Sequence, residues 1–356
     1  MEFKNKYLST EQRLNAAQRL TALWAFTESG LGGIMHALQI PFTGLVVGGM
    51  AVIIISLIAE ISGDRYKQIL KSAIIVLIVK AMVSPYTPFP AYLAVSFQAL
   101  LGFALFSLLR INLLSILLLS TIAMLESAIQ KLLILTLFFG ESLWKAMDKM
   151  IAFITDQMGV SSTHGSQWII GIYLFLYMIG GMIIAWITYK TIRGSSVEHE
   201  TLIFDPALII NKESFNKNRE AEKTFFYKIW IMVLLLVVLS AVLFVFAADA
   251  KQGWLVVVKT ISWTLSAILI WFMLIGPLIT KGIQKILQKN ESRYSDEVLN
   301  ILSFLPVLRQ ITSLAWQKSK GLKGMERWYF FISALIHWSL TYSDTATIEI
   351  PLRNPI

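Results

Sequence analysis

The chain has 356 residues, 56% of them hydrophobic and 15% charged, with a mean hydropathy of +0.65 and a formal charge of +9. A soluble domain of that composition would leave core-type surface in water, so a water-soluble fold is excluded and an all-α polytopic membrane protein is expected. The absence of cysteine excludes disulfides, thiol catalysis and Cys-based metal sites.

Eight apolar segments are expected to span the membrane, at about 20–37, 42–61, 69–86, 90–109, 112–139, 167–189, 227–248 and 254–280, each near the ~20 residues that crossing requires. With the N-terminus inside, 25 of the 31 Lys and Arg fall on one side. The positive-inside rule then places both termini in the cytoplasm and the chain in the cytoplasmic membrane. The positive charge is therefore an orientation signal, and no nucleic-acid binding is expected. The first 19 residues are too polar for a targeting peptide and lack a cleavage site, so the first segment is expected to be a retained span.

In the first span Ala25, Ser29 and Gly33 recur every four residues and form a smooth stripe. Such a stripe lets another helix approach closely, either within the bundle or as a docking surface for a partner subunit. Glu28 on the same helix is costly in hydrocarbon unless it faces water or a partner. Pro85, Pro88 and Pro90 mark a rigid outer turn between the third and fourth spans, usable as a pocket lid. Between the fifth and sixth spans, Trp144, Met147, Ile151, Ile154 and Met158 recur at helical spacing with Glu141, Lys145, Asp148 and Asp156 interleaved, which predicts an amphipathic helix on the outer surface.

A polar stretch divides the chain into a six-span bundle (1–190), a cytoplasmic linker (191–226) and a two-span module (227–356). Ser295, Asp296 and Glu297 suggest a helix start in that module. Val298, Ile301, Leu302, Leu305, Leu308 and Ala315 follow as one apolar stripe, interrupted by Pro306, on an amphipathic cytoplasmic helix. The apolar segment 328–342 is short for a span and is read as interfacial or partner-bound.

Several spans carry polar residues at mid-membrane or nearer the outer face: His36 and Gln39, Lys80, Gln98, Glu126 and Lys131, Gln167 and Tyr173. Buried ionisable groups gathered at one depth point to a substrate or ion site, because each alone is expensive in lipid. The competing reading is structural, with Glu126 and Lys131 paired to Lys80 or to each other. Enzyme motifs are missing. Gly253 to Thr260 lacks the second glycine of a phosphate loop, and the four histidines form no ligand pair, so no catalytic residue, metal or cofactor is expected.

Through Ala22-Leu-Trp-Ala25, Glu28-Ser-Gly30, Pro41, Gly44 and the proline-rich turn before Ala91 to Gly102, residues 1–190 resemble the S components of energy-coupling factor transporters. The resemblance implies a solute, a vitamin or trace metal ion, held near the outer face. It also implies a first helix that docks on a transmembrane coupling subunit, here through Ala25, Ser29 and Gly33. Ser313 to Gly321 resembles the coupling-helix segment by which T components contact their ATPases, with Lys320 before Gly321 where an arginine is expected, and with fewer spans than a T component has. The expected function is thus a non-enzymatic transporter subunit with membrane partners and separately encoded ATPases. The alternatives are a scaffold subunit whose basic C-terminal helices dock on a partner or anionic lipid, and an integral membrane lipid enzyme using Glu126 or His36 as general base.

Overall fold

In the computed structural model, the described residues are 9–32, 42–63, 65–84, 87, 89–157, 165–193, 258, 262 and 276–342. They form nine α-helices: α1 (Thr10–Phe26), α2 (Thr43–Ser62), α3 (Lys67–Val83), α4 (Phe89–Leu109), α5 (Leu113–Phe139), α6 (Glu141–Gln157), α7 (Gly165–Arg193), α8 (Gly276–Lys318) and α9 (Gly324–Thr341). A π-helical turn, Thr27–Leu31, extends α1, and a 3-10 turn, Ser319–Gly321, joins α8 to α9.

Among the described residues, five segments are by length and composition apolar enough to cross a membrane: α2, α4, α5, α7 and Tyr294–Gly321, which covers the second part of α8 and the 3-10 turn after it. Leu100 and Leu108 of α4, Leu133 of α5, and Trp168 and Ile172 of α7 are exposed. An apolar exterior on helices of this length is the signature of a bundle solvated by lipid, where every backbone polar group is closed within its own helix.

The helix limits follow from local chemistry. Ser9 caps α1 with Gln12 reciprocating, and Asn112 caps α5 with Ser115 reciprocating, so orphan first-turn amides are satisfied in both. Gly140, at φ 65°, ends α5 in a backbone conformation that costs glycine least. Asp148 of α6 accepts the Ser166 backbone N–H at 2.7 Å and so closes the start of α7.

Helix α2 is buried nearly all round and forms the axis of the bundle, with α1, α4, α5 and α7 against it. Its glycines set the distances: a Cβ at Gly49 would lie 2.7 Å from Ile184 of α7. At Gly181 of α7 a Cβ would lie 2.8 Å from the Thr121 backbone of α5. Close backbone contact of this kind is the main source of helix association where lipid removes the hydrophobic drive.

The C-terminal helices share that core. Val298, Ile301, Phe304, Leu308, Ile311 and Ala315 of α8 and Leu335 and Trp338 of α9 join one continuous apolar cluster with α1 and α3. Arg19 of α1 stacks over Phe304, 4.3 Å from the ring centroid, and Lys71 of α3 bonds Glu297 at 2.6 Å.

One local expectation is corrected. Ser295 to Glu297 do not start a helix, because α8 runs through them from Gly276; a capping signature inside a longer apolar pattern is overridden by the continuing backbone ladder. Pro306 lies within α8. Tyr294–Gly321, which includes the expected amphipathic stripe, is by length and composition also apolar enough to cross a membrane. Residues 328–341 are part of an 18-residue helix, α9. The first three residues of the expected linker, 191–193, continue α7, while the rest of the linker, the seventh span and most of the eighth span lie outside the described residues.

Candidate functional site

Two polar clusters occupy the end of the bundle where α2 begins, and they differ in how completely their groups are paired. The first is at the π turn. Thr27 donates its hydroxyl to the Leu23 and Trp24 carbonyls, and Ser29 to the Ala25 carbonyl, so side chains compete for the α1 backbone acceptors where the helix widens. Glu28, within this turn, accepts a 2.6 Å hydrogen bond from the Lys80 ammonium of α3. Both side chains are less than one-tenth exposed. The ammonium also lies 3.5 Å from the Ala91 carbonyl and 6.0 Å from the Tyr92 ring centre. Each charge is answered by a partner, which is the condition for burying it.

The second cluster surrounds the glycine face in the first two turns of α2. A Cβ at Gly44 would meet Ser127 of α5 at 3.3 Å and the Tyr177 hydroxyl of α7 at 3.9 Å. One at Gly48 would lie 3.1 Å from the Gln98 amide nitrogen of α4 and 3.0 Å from Met124. Three helices thus bring polar side chains to a surface of α2 that lacks side chains of its own. Tyr173 and Tyr177 stack with centroids 4.9 Å apart, and Phe42, at the start of α2, lies 6.0 Å from Tyr177.

This second cluster is not closed. Gln98 is 2% exposed, and its Oε1 has no hydrogen-bond partner. One residue before Ser127, Glu126 accepts the Gln130 amide through Oε1, while its buried Oε2 has no partner. Leaving a buried acceptor unpaired costs about 1–3 kcal/mol, so sites of this kind call for an explanation.

Of the eight residues expected to hold solute, Gln98, Glu126 and Tyr173 belong to the helices that frame this cluster. Lys80 is elsewhere, consumed by Glu28 at the α1–α3 contact. Lys131 and Gln167 are exposed, and Lys131 makes no ion pair among the described residues. His36, Gln39 and Gly33 lie outside the described residues, as do Pro85 and Pro88 of the outer turn. The Glu126–Lys80 and Glu126–Lys131 pairings do not form; Lys80 has Glu28 instead. Sequence reasoning missed Gly44, Gly48, Ser127 and Tyr177 as a group. The pair of glycines four apart on α2 was the available signal.

Ala25 and Ser29 are buried inside the chain, covered by its own helices, so on the described residues their stripe serves internal packing. Lys320 and Gly321 are exposed on the 3-10 turn. Trp316 and Trp328 flank that turn with rings 5.7 Å apart, and Arg327 lies 4.2 Å over Trp316.

No protein-family model matches the chain, and no curated protein or solved structure is similar to it. The class therefore rests on the helices themselves: this is a multi-pass α-helical membrane protein. Among the described residues, no group of three or more His, Asp or Glu could hold a metal ion.

Proposed function

We propose that the protein is a non-enzymatic subunit of a membrane transporter that binds a small polar solute among α2, α4, α5 and α7. The observation that carries this reading is the buried Gln98 side chain beside the glycine face of α2, whose Oε1 is left unpaired, together with the unpaired Glu126 Oε2 on α5. A solute donating hydrogen bonds would supply what the bundle withholds, entering where Gln98, Met124 and Ser127 close on Gly44 and Gly48 and would have to give way.

The charge bias orients the end carrying Arg65, Arg110 and Arg193 toward the cytoplasm, which puts the Gln98 cluster in the outer half of an inner membrane, as the likeness to S components also implies. Partner contact would then fall to the exposed basic and aromatic turn around Lys320 and Gly321, followed by Tyr329 against Lys190 at the end of α7 that the charge bias orients inward, rather than to the buried stripe of α1. Separately encoded ATPases fit that role.

The test is a thermal-shift screen of the purified protein against small vitamins and divalent metal ions, repeated on Gln98→Leu and Glu126→Gln. A native-state ligand raises stability by RT ln(1 + [L]/Kd). Expected is a solute that stabilises the natural chain and loses about tenfold or more affinity in both variants, neither of which melts appreciably below the natural protein. A solute bound equally by all three proteins would refute the site. A second reading, a scaffold subunit without solute, is favoured by the exposed Trp316, Trp328 and Met325 beside Arg327. A stable complex with membrane partners, together with no response to any solute, would establish it.

A further inference from the structure

At the opposite end of the bundle, an open cleft of about 840 Å³ lies between the start of α1, the α2–α3 turn, the last turns of α4, and α8. Four cations line it: Arg13 from α1, Arg65 from the turn, and Lys67 and Lys71 from the first turns of α3. Lys71 is bonded to Glu297, and Glu11, Glu60 and Asp64 neighbour the lining residues in sequence, but no carboxylate is among the described lining residues. Arg65 and Lys67 are exposed and form no ion pair among the described residues. Leu14, Phe103 and Tyr294 add apolar and aromatic surface to the same walls.

Cations and apolar surface lining one cleft select an amphiphile whose charged end is an anion. Guanidinium forks and ammonium groups match phosphate oxygens, and the apolar surface matches the first methylenes next to them. The cleft also stands at the helix ends, where headgroups lie against a bundle of this length.

We infer that this cleft is a binding site for a phosphate-bearing anion, filled by the headgroup of an anionic phospholipid. Because Tyr294 and the Lys71–Glu297 bond bring α8 to the wall, the bound headgroup would also tie α8 to α1 and α3. The site shares no residue with the proposed solute cluster, so either can fail without the other.

The test uses the full-length protein purified in detergent. Native mass spectrometry and thermal shift are recorded with phosphatidylglycerol, with phosphatidylcholine and with inorganic pyrophosphate. The variants are Arg65→Gln/Lys67→Gln and, as a control for charge alone, Lys131→Gln at the other end of the bundle. Phosphatidylglycerol is expected to be retained and to stabilise the protein, phosphatidylcholine is not, and the double variant should lose about tenfold or more in apparent affinity while Lys131→Gln loses none. Stabilisation by pyrophosphate as well, lost in the same double variant, would assign the site to free phosphate compounds and overturn the lipid. Retention of phosphatidylglycerol unchanged in the double variant, an equal loss in Lys131→Gln, or no preference over phosphatidylcholine would overturn the site itself.

Discussion

The α1–α3 contact and the glycine face of α2 both carry ionisable or amide groups into an apolar bundle, and they resolve the cost in opposite ways. At α1–α3, Glu28 and Lys80 meet at 2.6 Å, and nearby Thr21 and Ser72 share a 2.7 Å hydrogen bond, so the charges and hydroxyls of this interface are paired and only the Trp24 Nε1 of α1 is left without a partner among the described residues. On α4 and α5, Gln98 and Glu126 each keep a buried oxygen without a partner. A closed cluster adds to the bundle; an open one takes from its stability and gives a ligand something to bind. The depth of a polar residue in the membrane does not separate the two cases. Its partner does.

The sharpest way to break this comparison is to open the closed side. Lys80→Met strands the Glu28 carboxylate, and Glu28→Gln strands the ammonium; each is expected to cost about 3 kcal/mol or more. The double variant Glu28→Gln/Lys80→Met removes both charges and should recover most of that loss. Denaturant unfolding of the purified protein measures all three. Additive losses in the double variant would mean that the two groups do not act as a pair.

A second expectation concerns the backbone contacts that hold the open side in shape. Gly181→Ala puts a Cβ 2.8 Å from the Thr121 backbone, which has no flexible end to move aside, and should destabilise by about 1–3 kcal/mol. Gly171→Ala on the same helix meets nothing within 4 Å and should be neutral or slightly stabilising. The difference between these two melting temperatures measures close packing apart from helix propensity.

Much of the helix pattern was legible in the sequence because each boundary has a local cause. The fifth span, expected at 112–139, is Leu113–Phe139, bracketed by the Asn112 cap and Gly140. The amphipathic helix after it is α6, as the spacing of Trp144, Met147 and Ile151 indicates. Pairing was not legible. Lys80 could have met Glu126 or Glu28 from the same hydropathy profile, and the choice depends on which helix faces meet. The same holds for the stripe of Ala25 and Ser29: spacing shows that something packs closely there, while only the assembled bundle identifies its neighbours as this chain's own. The start of α8 was missed for a different reason, since Ser295 to Glu297 carry a capping signature that the helix simply runs through.

Removing the unpaired groups of the open side should have the reverse sign. In Gln98→Leu the buried unpaired oxygen disappears and a side chain of similar size remains, so the unliganded protein should gain up to about 1–2 kcal/mol. That gain, measured on the same unfolding curve as the Lys80 variants, would place the two clusters on opposite sides of zero. A loss as large as that of Lys80→Met would make Gln98 a structural group and remove the contrast.

The smallest effect is expected where a charge pair reaches solvent. Lys71 and Glu297 bond at 2.6 Å as well, yet their side chains are 32% and 25% exposed. Water screens the pair and rehydrates whichever partner is left, so Glu297→Gln should cost at most about 1 kcal/mol, falling further as salt is raised. Comparing this variant with Glu28→Gln at low and high ionic strength separates burial from distance, because the two bonds are equally short. If both variants lose the same stability and both respond to salt, burial does not govern these pairs, and the Glu28–Lys80 contact is more open to water than its surroundings indicate.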